Sequence, residues 1–287
     1  MSYRRRASPL HAARAGAACL YCLALALAAL MLDNPVALGA VALAILGAGA
    51  GAGVGRELRK AALFALPLAI VIALINALVS RDGLTVIVRL GDLPIFGHTD
   101  ITLEATAYGG ILGLRAAALI LCGALYTTAV DPDEVLRLFR RVSFRSALTA
   151  TLATRLVPVL VRDSRRLADA QRCRPGSKPS RVQLMRATTT GVLDRALDVA
   201  AALEVRGYGG ATRPPRVHRP YGRHDLLFAG SAVAIALLAV WAHVAGLAPF
   251  HAYPTLYSPV TASTVAVSAG LLAAAWLPFC ERRGIEP

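Results

Sequence analysis

Six apolar runs, each long enough to cross a bilayer, constrain this chain more than anything else in it. They cover approximately residues 14–32, 36–54, 61–80, 106–130, 225–247 and 260–280. Crossing roughly 30 Å of hydrocarbon takes about 20 helical residues. In lipid a backbone must satisfy its own polar groups, which a helix does within one segment. Composition agrees. The chain is 56% hydrophobic with a mean hydropathy of +0.56, and aromatics are only 6%, so alanine, leucine and valine carry the apolar character. The fold class that follows is an all-α integral membrane protein with about six transmembrane helices. Tyr3-Arg4-Arg5-Arg6 precedes the first run as it would in a signal peptide. That run continues to Leu32 and meets Asp33-Asn34-Pro35 instead of a small-residue cleavage site, so it reads as an uncleaved span.

Charge in the connections sets the orientation. Arg4, Arg5, Arg6 and Arg14 lie before or at the first run, and Arg56, Arg59 and Lys60 separate the second and third. Residues 131–224 hold nineteen Lys/Arg against eight Asp/Glu, and Arg282 and Arg283 follow the last run. If six helices alternate, all of these fall on one side, which the positive-inside rule makes cytoplasmic. The loop from Arg81 to Glu104 falls on the other side. It has two basic residues against Asp82, Asp92, Asp100 and Glu104. Residues 84–88 there suit a short strand or hairpin arm, with turns expected at Gly91-Asp92 and Phe96-Gly97. Both termini are therefore expected in the cytoplasm, and the protein in the cell membrane. The chain divides into a membrane domain over 1–130, a cytoplasmic helical domain over 131–224, and two further membrane helices in 225–287.

The cytoplasmic domain holds two long helical patterns too charged to span. The first runs from about Phe144 to Arg174, with Leu148, Leu152, Leu156, Leu160 and Leu167 on one face. It also carries Arg155, Arg162, Asp163, Arg165, Arg166 and Asp169. At roughly 2.5–3.5 kcal/mol per mid-membrane charge against roughly −0.5 per leucine, spanning loses. The second runs from about Arg181 to Arg206, and Val192, Ala196, Val199, Leu203 and Arg206 step by four and three along one seam. Both patterns read as amphipathic helices lying against the membrane or the membrane domain. Each ends in an arginine, with Gly176 and Gly207 where a helix stops. A terminal arginine ordinarily just complements the helix dipole. Two in tandem, both continuing an apolar seam, point to a surface that binds something.

The strings TRLVPVLVRDSRRLADAQRCRPG (154–176) and RALDVAAALEVRGYGGATR (195–213) resemble the T component of energy-coupling factor (ECF) transporters, the EcfT/CbiQ family. The mark of that family is an Ala-Arg-Gly motif at the end of each of two cytoplasmic coupling helices. Here the second reads Val205-Arg206-Gly207, and the first reads Cys173-Arg174-Pro175 with Gly176 following. Gln171 and Glu204 flank them, and the resemblance extends to Asn34-Pro35 and to AVDPDEVLRLFRR (129–141). It implies a scaffold subunit of a vitamin or cobalt/nickel uptake system. Arg174 and Arg206 would each enter a groove on one of two cytosolic ABC ATPase subunits. The apolar faces would hold a small membrane substrate-binding (S) subunit. No cofactor is implied.

Other signals are weaker. No GxxxxGK[ST] occurs, so ATP hydrolysis in the P-loop manner belongs to another polypeptide. Lys178 sits in a linker. Gly47, Gly49, Gly51, Gly53 and Gly55 lack the strand that a dinucleotide site needs, and suit close helix packing. Cys19 and Cys22 form a lone CxxC in an apolar run, a poor metal signal. GxSxG, HExxH and clustered His/Asp/Glu are absent. Asp131-Pro132-Asp133-Glu134 reads as a helix start. The net charge of +14 comes without interleaved aromatics, which argues against nucleic acid. Arg115 and Asn76 are polar groups inside apolar runs; Arg115 either snorkels outward or contacts a membrane partner. The rival reading is a permease lining its own substrate path. A membrane enzyme ranks below it.

Overall fold

The computed structural model describes residues 6–80, 85–93, 97–139, 144–173, 181–207, 221–251 and 260–281. In chain order its elements are α1 (Pro9–Ala12), α2 (Ala15–Met31), α3 (Pro35–Gly51), α4 (Gly55–Val79), β1 (Val86–Leu93), β2 (Gly97–Thr102), α5 (Leu103–Ala129), α6 (Pro132–Phe139), α7 (Phe144–Arg172), α8 (Arg181–Val205), α9 (Arg223–Val244) and α10 (Ala262–Cys280). The six apolar runs are α2, α3, α4, α5, α9 and α10. Four of them, α4, α5, α9 and α10, are long and apolar enough to cross a membrane. The other two have 17 residues each, about the shortest length that spans. The protein is a helical multi-pass membrane protein. The chain forms two compact units, Met1–Val135 with Tyr221–Pro287, and Leu136–Pro220.

In the first unit, α2 packs on α9 and α5, α3 on α10 and α5, and α4 mainly on α5. Three aromatic rings tie α2, α9 and α10 together. Phe228 stands edge-on to Tyr21 and to Phe279, each at 5.3 Å between ring centres. Edge-to-face geometry suits the ring quadrupoles. Tyr21 is fully buried, and its hydroxyl donates to the Ala275 carbonyl at 3.0 Å. A buried phenol must find such a partner.

Local chemistry sets the helix ends. Asn34 caps α3: its Oδ1 accepts from the Val36 N–H at 3.0 Å, and Pro35 opens the helix. Asn34 is 0% exposed and its amide donates to the Pro249 carbonyl at 3.4 Å. Asn34→Ala is expected to destabilise the unit by about 1–2 kcal/mol, from the lost cap and the stranded carbonyl. Thermal unfolding in detergent checks this; an unchanged midpoint overturns it. At the start of α6, the Asp131 carboxylate accepts from the Asp133 N–H at 2.9 Å.

Two readings change on detail. Gly91-Asp92 is not a turn. It lies inside β1, where the pairing with β2 shifts register between Arg89↔Asp100 and Asp92↔His98. This antiparallel hairpin is a small non-helical element in the otherwise α-helical class. Phe96 lies outside the described residues. Glu104, counted above among the acids of an outer loop, is 1% exposed. Its carboxylate accepts from the Thr85 hydroxyl at 2.7 Å and from the Thr85 N–H, tying the base of the hairpin to α5.

The glycine run at the end of α3 seats side chains more than backbones. A Cβ at Gly47 would meet the Trp276 indole at 2.6 Å, and one at Gly51 the Phe279 ring at 2.6 Å. Gly53 has φ +73° and turns the chain toward α4. The backbone-to-backbone approach is elsewhere. A Cβ at Gly109 or Gly113 would lie 2.7 or 2.6 Å from the carbonyl oxygens of Ala73 and Ala69 on α4. This is a GxxxG spacing on α5 that sequence reading passed over.

Candidate functional site

The second unit is built from α7 and α8, with 29 and 25 residues. Neither is among the membrane-crossing helices. The leucine stripe of α7 is its less exposed face, and Leu160 and Leu167 line a groove of about 240 Å³ with Gly191, Val192 and Arg195 of α8. Leu160 and Leu167 therefore face α8. Arg195 donates to Asp163 Oδ2 at 2.7 Å across the pair. Both side chains are more than 30% exposed, so the pair contributes at most about 1 kcal/mol. A double-mutant cycle on Asp163→Asn and Arg195→Gln is expected to return a coupling below that figure; a larger value would make the bridge, and not the leucines, the main joint. The free faces carry other apolar pairs: Val157 and Val161 on α7, and Leu193 and Leu197 on α8, all 45–66% exposed.

The helix ends carry the predicted residues. Val205 is 89% exposed and Arg206 follows it in the exposed turn. The Arg206 N–H still donates to Ala202, at 3.3 Å, and the Gly207 N–H to Glu204, at 2.9 Å. Gly207 has φ +77°, a conformation side chains disfavour, so the helix stops there and the guanidinium sits at its tip. No carboxylate among the described residues pairs with Arg206. At the end of α7, Cys173 is exposed and its N–H donates to Asp169 at 3.2 Å. Arg174, with Gly176 and Lys178, lies outside the described residues.

Arg115 belongs to the first unit. It lies near the middle of α5 and reaches the α2–α3 turn. There it donates to the Leu32 carbonyl at 3.1 Å and pairs with Asp33. Its ion partner is thus in this chain. The pair lines a cavity of about 390 Å³ with Tyr108, Leu112, Phe250 and His251. Of the CxxC pair, Cys22 is buried and its carbonyl accepts from Cys122 Sγ at 3.1 Å, the packing role of a small side chain. Asn76 lies against Gly109, and its Oδ1 is buried without a hydrogen-bond partner among the described residues.

Bundled apolar helices with a charged two-helix unit inserted in the chain define a class of multi-pass helical membrane protein. The chain belongs to the cobalt transport protein (CbiQ) family, whose model matches residues 6–219. It is 27% identical, over 147 residues, to the "energy-coupling factor transporter transmembrane protein EcfT" of Acidaminococcus fermentans, 44% of this chain and 55% of that one. It is 29% identical, over 195 residues, to a "putative ABC transporter ATP-binding protein" of Bifidobacterium longum, 60% of this chain and 24% of that one. The chain therefore spans about half of the first relative and about a quarter of the second. The resemblance read from residues 154–176 and 195–213 stands as family membership.

Proposed function

We propose that the chain is the transmembrane coupling subunit of an ECF-type importer. It joins two cytosolic ATPase subunits to a separate substrate-binding membrane subunit, in the uptake of a vitamin or a transition-metal ion. The observation that carries this is the tip of α8: an arginine without a carboxylate partner among the described residues, presented by a helix that a left-handed glycine ends. An exposed guanidinium in a fixed position suits bidentate pairing with carboxylates of a partner. In the sequence Arg174 follows α7 as Arg206 follows α8, and by the family resemblance it takes the same role. A relative whose name is an ATP-binding protein carries a segment like this chain within one polypeptide, which fits an ATPase that works beside it. The exposed pairs Val157/Val161 and Leu193/Leu197 offer the apolar surface for the substrate-binding subunit. The chain itself performs no hydrolysis.

Orientation follows from charge. Arg6 pairs with Glu57 and with the Gly53 carbonyl, and Arg223 lies 4.0 Å from Glu281. The starts of α4 and α9 and the end of α10 carry these charges, and the positive-inside rule places that end in the cytoplasm with both termini. The test is affinity purification of the tagged chain in detergent, with identification of what co-elutes. Two ATPase polypeptides and a small membrane protein are the expected companions. A chain that purifies alone under gentle extraction counts against the scaffold.

A further inference from the structure

The platform is inserted into the membrane unit, so the chain leaves that unit once and returns once. The departure is at Asp131–Val135, the return at Tyr221–Asp225. Both crossings are tied to the same point, the first turn of α2. A helix begins with amides that have no partner inside it. Arg14 stands at the cap position of α2, and its side chain makes no capping bond. The acceptors come from far away in sequence. The Arg14 N–H donates to Asp225 Oδ1 at 2.7 Å, and the Ala15 N–H donates to Glu134 Oε2 at 3.0 Å. One carboxylate stands on the way out, the other on the way back.

Side chains reinforce the joint. Asp225 Oδ2 accepts from the Gly222 N–H at 2.9 Å and pairs with Arg14 Nε at 3.3 Å. The Asp225 side chain is only 8% exposed, and the Arg14 guanidinium lies 4.5 Å from the centre of the Tyr221 ring. Val135 packs against the core. Two negative groups at a helix N-terminus also meet the positive end of its dipole. A joint of short charge-assisted hydrogen bonds, with the Asp225 side chain largely buried, resists displacement more than a flexible connection does.

We infer that Glu134 and Asp225 form a two-pronged clamp that makes α2 the point where platform motion enters the membrane bundle. They are positioning residues: they touch no nucleotide and no substrate. If these two ends of the first unit were loose, a displacement arriving at residue 135 or 221 would be taken up within 131–135 and 221–225. Clamped to adjacent amides, they move α2, and through Tyr21 they move α9 and α10. This rests on the coupling-subunit reading for its purpose, though the clamp itself is a property of the chain alone.

The experiment measures the distance between spin labels on Cys280, an exposed native thiol, and on a cysteine introduced at the exposed Thr189 of α8. The full-length chain carries Cys19→Ser, Cys173→Ala and Thr189→Cys and sits in lipid nanodiscs, with and without the co-purifying ATPase subunits and Mg-ATP trapped with vanadate. Glu134→Ala and Asp225→Ala are compared with the isosteric Glu134→Gln and Asp225→Asn, which keep the shape if the alanine forms fail to fold. In the chain alone, each substitution is expected to broaden the distance distribution, and the double variant most. With the ATPases, the nucleotide-driven shift of the wild type is expected to be lost while the subunits still co-purify. Wild-type widths and shifts in the variants, even with lowered melting temperatures, would reduce the carboxylates to ordinary caps and overturn the clamp. So would a wild type that retains its ATPases and shows no shift. Failure of the wild type to retain ATPases, with broadening still seen, sinks the coupling reading and leaves the clamp standing.

Discussion

Arg206→Ala is expected to abolish retention of the ATPase subunits during purification. Removing one member of a desolvated arginine–carboxylate pair costs about 2–5 kcal/mol, because the partner's charge is left buried and unpaired. At about 1.4 kcal/mol per tenfold, that is a loss of roughly 30-fold to several thousandfold in affinity. Arg206→Lys is expected to fall between, since an ammonium keeps the charge and loses the planar fork. The stability of the chain should hardly move, because Val205, Arg206 and Gly207 are exposed. Arg172→Ala is the control. That guanidinium is 72% exposed and lies 3.5 Å from Asp169 one turn away, a pairing worth a few tenths of a kcal/mol at most. Titration of detergent-solubilised chain with the ATPase subunits reads all three. Equal affinity for Arg206→Ala and wild type ends the proposed role.

Gly113→Leu is the second large effect, and it acts on the membrane unit. A Cβ at that position would lie 2.6 Å from the Ala69 carbonyl oxygen and 3.2 Å from its carbon. Backbone cannot rotate away as a side chain does, so α4 must separate from α5. Overpacking costs about 1–3 kcal/mol, and more where backbone is the obstacle. The consequence is large here because α4 packs mainly on α5. Elsewhere it presents Leu63, Phe64, Leu66 and Ile70, each at least 59% exposed, as a surface for lipid. Helices in lipid associate through such small-residue contacts, since lipid is as apolar as leucine. Gly110→Ala supplies the contrast. Nothing lies within 4 Å of a Cβ there, so the change is expected to stabilise by about 0.4–1 kcal/mol. Unfolding in detergent measures both, and a Gly113→Leu midpoint equal to wild type overturns the packing account.

Much of the architecture was legible before any coordinates. The apolar runs became α2, α3, α4, α5, α9 and α10, and Asn34-Pro35 and Asp131-Pro132 opened helices where cap chemistry places them. Gly207 ended α8 with positive φ. The misreadings share a cause. Glu104 was counted only among the acids of the 81–104 loop, by its neighbours in sequence, whereas Thr85 satisfies its carboxylate in a buried position. The leucine face of α7 was read as lying against the membrane or the membrane domain, and Leu160 and Leu167 face α8. Arg115 was given an outward snorkel or a contact with a membrane partner, because its ion partner Asp33 is 82 positions away in the sequence.

Sequence alone determined which segments are apolar helices and which are charged rods, because transfer free energies and helix-end preferences add up over neighbouring residues. It also determined the family, through the pattern around Arg174 and Arg206. Tertiary structure decided which helices are neighbours, which glycines touch backbone, and where carboxylates find their donors. Glu134 and Asp225 meet α2 across 119 and 211 positions. A contact over that distance leaves no periodicity along the chain; it exists only once packing has brought the helix ends together.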